Sequence, residues 1–289
     1  MRLARSIAVA AVTTTLVTGT TLAASAITGG TEDTADEYSA VAMIVFYRGG
    51  GLSSCSATLV SPTVLLTAAH CTEGVSGKVA ASFEPVIARQ GPPPFPRAAD
   101  PAAGYQGTES QGYVFGTPQT HPGYSRFADV KNWNDVGVVI LEEPVAGIEP
   151  MPIAPKNHLN RLTPNVLNKT LFRTVGYGTE VRQDAAANGT MKPTPMPLPI
   201  VRRYADSPGQ KLTPQILQTN GNPNDNKGTG GSCLGDSGGP TLQGGYQVAV
   251  TSYSNTANCR YLAGLQRIDI PVVQDWLLSF GVEPATTAR

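Results

Sequence analysis

Short apolar runs broken by turn residues constrain this chain most. "AVAMIVFY" (40–47), "SATLVSPTVLLTAAH" (56–70), "VGVVILEE" (136–143), "LFRTVGYG" (171–178) and "YQVAVTSYS" (246–254) are rich in Val, Ile, Thr and Tyr and lie between Gly, Pro and Asn clusters. Runs of that length and composition predict strands, and no long helical period interrupts them. The exception is "DIPVVQDWLLSF", where Ile270, Val273, Trp276, Leu277 and Phe280 recur at helical spacing and predict one amphipathic helix over about 270–281. "EPATTAR" beyond it reads as a frayed tail. With 31 Gly, 24 Pro and 40% hydrophobic residues, the chain suits a turn-rich all-β protein better than disorder.

The N-terminus reads as an export signal. Arg2 and Arg5 precede a modestly apolar stretch, and Ala24-Ser25-Ala26 offers the small-residue pattern that signal peptidase cuts after. The apolar stretch is too short and too rich in Thr to span a membrane, so a retained anchor is the weaker reading. Cleavage after Ala26 would leave residues 27–289 with 19 basic and 21 acidic residues. That balance carries no basic face for nucleic acid or an anionic membrane.

The four cysteines are Cys55, Cys71, Cys233 and Cys259. An even count in an exported chain favours two disulfides, the pairings close in sequence being the economical ones. No C-x-x-C or H-E-x-x-H spacing supports zinc, and nothing demands a cofactor. The Pro-rich segment 142–160 reads as a connector between two β halves, and "QGPPPFPRAADPAAGYQG" (90–107) as a rigid surface loop rather than a polyproline ligand. "NGNPNDNKGTGG" (220–231) has Asn222, Asn224 and Asn226 at alternate positions, but its Gly falls one place late for a calcium loop and no Glu follows. Asn168 and Asn188 open glycan acceptor triplets.

Three motifs carry chemistry. "TAAHC" holds His70, "NDVGVVIL" sets Asp135 before an apolar strand, and "GDSGGP" frames Ser237 with glycines. A serine hydroxyl becomes a useful nucleophile when a histidine takes its proton and a buried carboxylate fixes that histidine's tautomer. Gly235 would let the backbone curl so that its N–H and that of Ser237 converge on a developing oxyanion. Asp129 competes for the carboxylate role but lacks the apolar strand that follows Asp135. His121 in "HPGY" and His158 in the connector read as structural.

Taken in order, "ITGG", "TAAHC", "HPGY", "NDVGVVIL", "VGYG" and "SCLGDSGGP" resemble the chymotrypsin/trypsin family of serine endopeptidases across essentially all of 27–289. The resemblance implies an all-β fold of two six-stranded antiparallel β-barrels with a C-terminal α-helix. The first barrel would take about 27–150, the second about 151–270. It implies a cleft with His70 and Asp135 from the first barrel and Ser237 from the second, an oxyanion hole at Gly235 and Ser237, and bridges Cys55–Cys71 and Cys233–Cys259. It also implies that a freed amine at Ile27 inserts and pairs with Asp236, so that signal peptidase itself would activate the protein.

For specificity, the resemblance puts Gly231 and Ser232 at the base of the primary pocket and Ser252, Tyr253, Ser254 and Gly264 on its walls. Ser252 would also bond the catalytic carboxylate. An uncharged base disfavours Lys or Arg before the cut, because the buried cation would be unpaired. Asp225 reaching into the pocket would reverse that. The expected product is a secreted, monomeric endopeptidase acting on protein or peptide substrates, without cofactor, metal or membrane anchor. Its rivals are a secreted binding or adhesion protein on the same fold and an esterase using the same triad. "GDSGGP" differs from the G-x-S-x-G elbow of α/β-hydrolases.

Overall fold

The computed structural model describes residues 27, 29–108, 112–182, 194–221, 229–256, 259 and 261–286. The signal-like segment 1–26, the Asn188 acceptor, and Asp225 with the alternating asparagines lie outside the described residues.

Six strands form the first barrel: β1 (Val41–Arg48), β2 (Gly51–Ser61), β3 (Val64–Thr67), β4 (Ser76–Ser82), β5 (Val114–Thr120) and β6 (Gly137–Leu141). They close in the order β1-β2-β3-β6-β5-β4, with β4 pairing back onto β1. Both faces of β1 are buried, which is why "VAMIVFYR" reads as a continuous apolar run rather than an alternating one. Ala42, Ile44 and Phe46 join Leu59, Leu65, Val79 and Val139 in one cluster. Val41, Val45 and Tyr47 face the opposite way, into a cluster that includes Val175 and Tyr177 of the other half.

The second barrel comprises β7 (Leu171–Gly176), β8 (Arg203–Leu212), β9 (Ile216–Gly221), β10 (Pro240–Gln243), β11 (Tyr246–Ser254) and β12 (Tyr261–Arg267). The order β8-β9-β12-β11-β10-β7 closes through β7–β8 pairing. Phe172, Leu217, Val248 and Leu265 are among the residues that fill it. A second interface joins Val64, Leu66, Val136 and Val138 to Val250, Ile268, Val273 and Leu277. The C-terminal helix runs Pro271–Leu278, with proline at its first turn, where no N–H is missed. It is shorter than the sequence predicts, since Gly281 turns the chain with φ +74°.

One feature departs from the sequence reading. The N-terminal segment belongs to the second barrel rather than the first: Thr31 and Glu32 pair with Tyr204 and Arg203 on β8. A buried cation causes this. Arg202, fully enclosed, donates from Nε to Asp33 Oδ2 at 2.8 Å and from Nη1 to the carbonyls of Val41 and Phe83. It also pairs with Asp36 and reaches Tyr177 Oη at 3.1 Å. Every partner is an oxygen, which is what a guanidinium needs to be buried.

Candidate active site

Register brings the first two site residues together. Thr67 at the end of β3 lies opposite Gly137 at the start of β6. His70, on the one-turn helix Ala69–Thr72 just after β3, therefore meets Asp135 just before β6. His70 donates its backbone N–H to Asp135 Oδ1 and its Nδ1–H to Oδ2, both at 2.9 Å. Ser252 Oγ–H also donates to Oδ2, at 2.6 Å, and Trp133 Nε1–H holds Ser252 Oγ at 3.0 Å. Asp135 is 0% exposed. An ionised carboxylate only accepts, so the proton of His70 sits on Nδ1 and the Nε2 lone pair is left for another donor.

The Ser237 turn is fastened from both barrels. Leu234 C=O accepts Thr179 N–H at 2.7 Å, and Asp236 C=O accepts Gly239 N–H at 2.8 Å. In a trans peptide N–H and C=O point opposite ways, so these bonds aim the N–H groups of Gly235 and Ser237 away from their anchors. Among the described residues neither N–H has a backbone acceptor. Ser56 of β2 grips the same turn, donating its N–H to Ser237 C=O at 2.9 Å and its Oγ–H to Gly235 C=O at 2.9 Å. Gly235 has φ +98° and Gly238 φ +78°, and a Cβ at Gly238 would lie 2.0 Å from Thr67 Oγ1. Glycine is required there for conformation and for contact. The same closeness sets Ser237 beside the His70 helix, with its C=O 3.8 Å from Cys71 Sγ.

Asp236 points inward. It is wholly buried and accepts Gly178 N–H at 2.7 Å and Cys233 N–H at 2.8 Å. Burial pushes its carboxyl up to about 7, against the two N–H bonds and the charge of Arg203. Ile27 is fully buried, with φ +52°. In the unprocessed chain it follows Ala26, so it has no free amine to offer Asp236. Arg203 is buried, with Nε and Nη1 lacking partners among the described residues.

A cavity of about 390 Å³ adjoins Ser237, lined by Cys233, Leu234, Thr251, Ser252, Tyr253, Ser254 and Thr256. Ser232 is buried with its Oγ unbonded among the described residues, and Gly231 packs on the backbone of Gly221. Gly264 is elsewhere: it lies under the ring of Tyr253, where a Cβ would come within 2.1 Å. Disulfides Cys55–Cys71 and Cys233–Cys259 tether the helix of His70 and the loop of Ser237.

The remaining candidates lie apart from this chemistry. Asp129 folds onto its own loop, accepting Lys131 N–H and Asn132 Nδ2–H. His121 accepts Gly123 N–H, and burial lowers its pKa. His158 sits against Gln243 and Arg161. Sequence reasoning missed Ser56, Trp133, Gln266, which accepts Asp135 N–H at 3.0 Å, and the pair Arg202 and Arg203. Only Ser56 carries a signal, being next to a cysteine whose partner adjoins His70.

Comparisons agree with this architecture. HL collagenase superposes with a TM-score of 0.63 at 16% identity, over 89% of this chain and 100% of its own. The protein named GrC gives 0.61 at 18% identity, over 88% and 99%. Human heparin binding protein gives 0.57 at 16%, over 90% and 100%. At such identities the likeness is one of fold. No curated protein matches the chain significantly. The family profile Trypsin, however, matches residues 27–277, and the chain therefore belongs to the trypsin family.

Proposed function

We propose that this protein is a secreted serine endopeptidase. The observation that carries the reading is the enclosed Asp135, both of whose oxygens hold His70 in one tautomer beside the Ser237 turn. Ser237 Oγ attacks the scissile carbonyl carbon while His70 Nε2 takes its proton. The carbonyl oxygen becomes an oxyanion and receives the free N–H groups of Gly235 and Ser237. The imidazolium then protonates the leaving amine; water, deprotonated by His70, attacks the acyl carbon, and the imidazolium returns that proton to Ser237 Oγ as the acid leaves. Among the described residues Ser237 Oγ makes no hydrogen bond to His70 Nε2; such bonds are often long before substrate binds.

Signal peptidase would free the amine of Ile27, which pairs with Asp236 and ionises it. The signal at 1–26, the two disulfides and the burial of Ile27 support this route. No helix among the described residues is long and apolar enough to cross a membrane. Among the described residues the cavity beside Ser237 has no charged wall, which supports an uncharged residue before the cut.

Cleavage of a peptide library, with Ser237→Ala as control and N-terminal sequencing of the secreted chain, tests the proposal. Expected are cuts that vanish in the variant, uncharged residues before them, and an N-terminus at Ile27. Ester turnover without peptide cleavage would indicate an esterase. Absence of both from a chain starting at Ile27 would indicate a binding protein. Cuts after Lys or Arg would overturn the pocket assignment.

A further inference from the structure

A cavity of about 890 Å³, more than twice that beside Ser237, opens on the other side of Tyr253. Its apolar walls are Trp133, Tyr253, Ile216 and Val130, and Val130 is 75% exposed. Aromatic contacts link it to the candidate active site: His70 to Phe127 at 5.7 Å, Phe127 to Trp133 at 5.1 Å, and Trp133 to Tyr253 at 5.4 Å between ring centres. Two exposed lysines, Lys131 and Lys211, line it as well, one from each barrel, beside Thr213, Pro214 and Gln218. Among the described residues neither ammonium is in an ion pair. The nearby Asp129 carboxylate accepts Lys131 N–H and Asn132 Nδ2–H of its own loop and feels the Lys131 charge without forming an ion pair with it. An apolar hollow flanked by two unpaired cations calls for a ligand with an apolar body and a negative charge.

Resting on the reading of Ser237 as nucleophile, we infer that this cavity binds the part of the substrate N-terminal to the cut and selects acidic side chains there. The smaller cavity takes the side chain of the residue whose carbonyl is attacked. Tyr253 walls both cavities, so a peptide seated in the smaller one continues past it into the larger one. A separate cavity, lined by Met43, Ser53, Leu234 and Gly235 among others, is left for the departing side. An extended peptide advances about 3.3–3.6 Å per residue, so a carboxylate a few residues upstream reaches the lysines.

The test uses the processed protein and peptides of constant cleavage site carrying Glu, Gln or Lys at the second, third or fourth position before the cut. Glu should exceed Gln by about fivefold in kcat/KM at one of these positions, mainly through KM, and Lys should fall below Gln. The difference should shrink at roughly 0.5 M salt. The double variant Lys131→Glu, Lys211→Glu should reverse the order. Equal rates for Glu and Gln, or an unreversed preference in the double variant, would overturn the inference. Anisotropy of labelled Glu and Gln peptides bound to Ser237→Ala separates the two readings. Cleavage without acidic preference removes only the acidic subsite. Acidic preference in binding, without cleavage by the unsubstituted protein, removes only the peptidase. Neither cleavage nor preference removes both.

Discussion

Among the described residues Asp135 accepts three hydrogen bonds, two from His70 and one from Ser252, and it is fully buried. Asp135→Asn turns an acceptor into a donor at Oδ2 or Oδ1 and forces the imidazole to its other tautomer. Its kcat should fall by about 10⁴-fold, with KM little moved. Ser252→Ala removes one bond to a charged acceptor and leaves the histidine contacts, so kcat should fall by roughly tenfold. Steady-state kinetics on a peptide substrate reads both, and an unchanged Ser252→Ala would show that the hydroxyl is an ordinary strand serine. His70, Asp135 and Ser237 were legible because each stands in a short motif whose neighbours do local work. Ser56 and Gln266 were not. Their roles arise from contacts 179 and 131 residues away, and nothing beside them in sequence reports those contacts.

Strands were legible where both faces are apolar, as in β1, and obscure where charge is buried. "RYADSPGQKL" contains Pro, Gly and three charged residues, yet it is the ten-residue strand β8 that closes the second barrel. Tertiary partners, not β-propensity, decide it. Arg173 pairs with Asp206 across the β7–β8 ladder, and Arg202 just before the strand is held by Asp33 and Asp36. The attachment of the N-terminal segment to this strand was invisible for the same reason. Arg202→Met leaves Asp33 buried without its cation, which should cost about 3–5 kcal/mol in denaturant unfolding. Arg202→Lys should recover little, since one ammonium cannot reach the oxygens on Asp33, Val41, Phe83 and Tyr177 that the fork spans. A variant as stable as the parent would show that the hub is incidental.

Asp236 gives the whole molecule a pH signature that depends on processing. In the unprocessed chain its carboxyl is raised from 3.8 to about 7, so the fold holds the proton more tightly than the unfolded chain does. That contribution is complete below pH about 4 and is lost as pH rises through about 7. If an amine at Ile27 pairs with it as proposed, the charged form is favoured and the folded pKa is expected to fall below the ordinary value. The contribution is then present at neutral pH and lost on acidification. Thermal melts of Ser237→Ala that retains residues 1–26 should therefore lose stability between pH about 4 and about 8, while the chain without them should hold steady there and lose it only below pH about 4. Parallel curves would sink the Ile27–Asp236 pairing. The attachment of the N-terminal segment has a further effect, set by the direction in which a protein is made. Asp33 leaves the ribosome 169 residues ahead of Arg202, and Thr31 well ahead of Tyr204. Until those partners exist there is no dock for residue 27, however early the bond before it is cut. On the proposed function, translation order works as a timer: an end freed at Ile27 would idle until the second barrel closes, and a destructive activity would stay unassembled while the chain is still threading out of the cell that makes it.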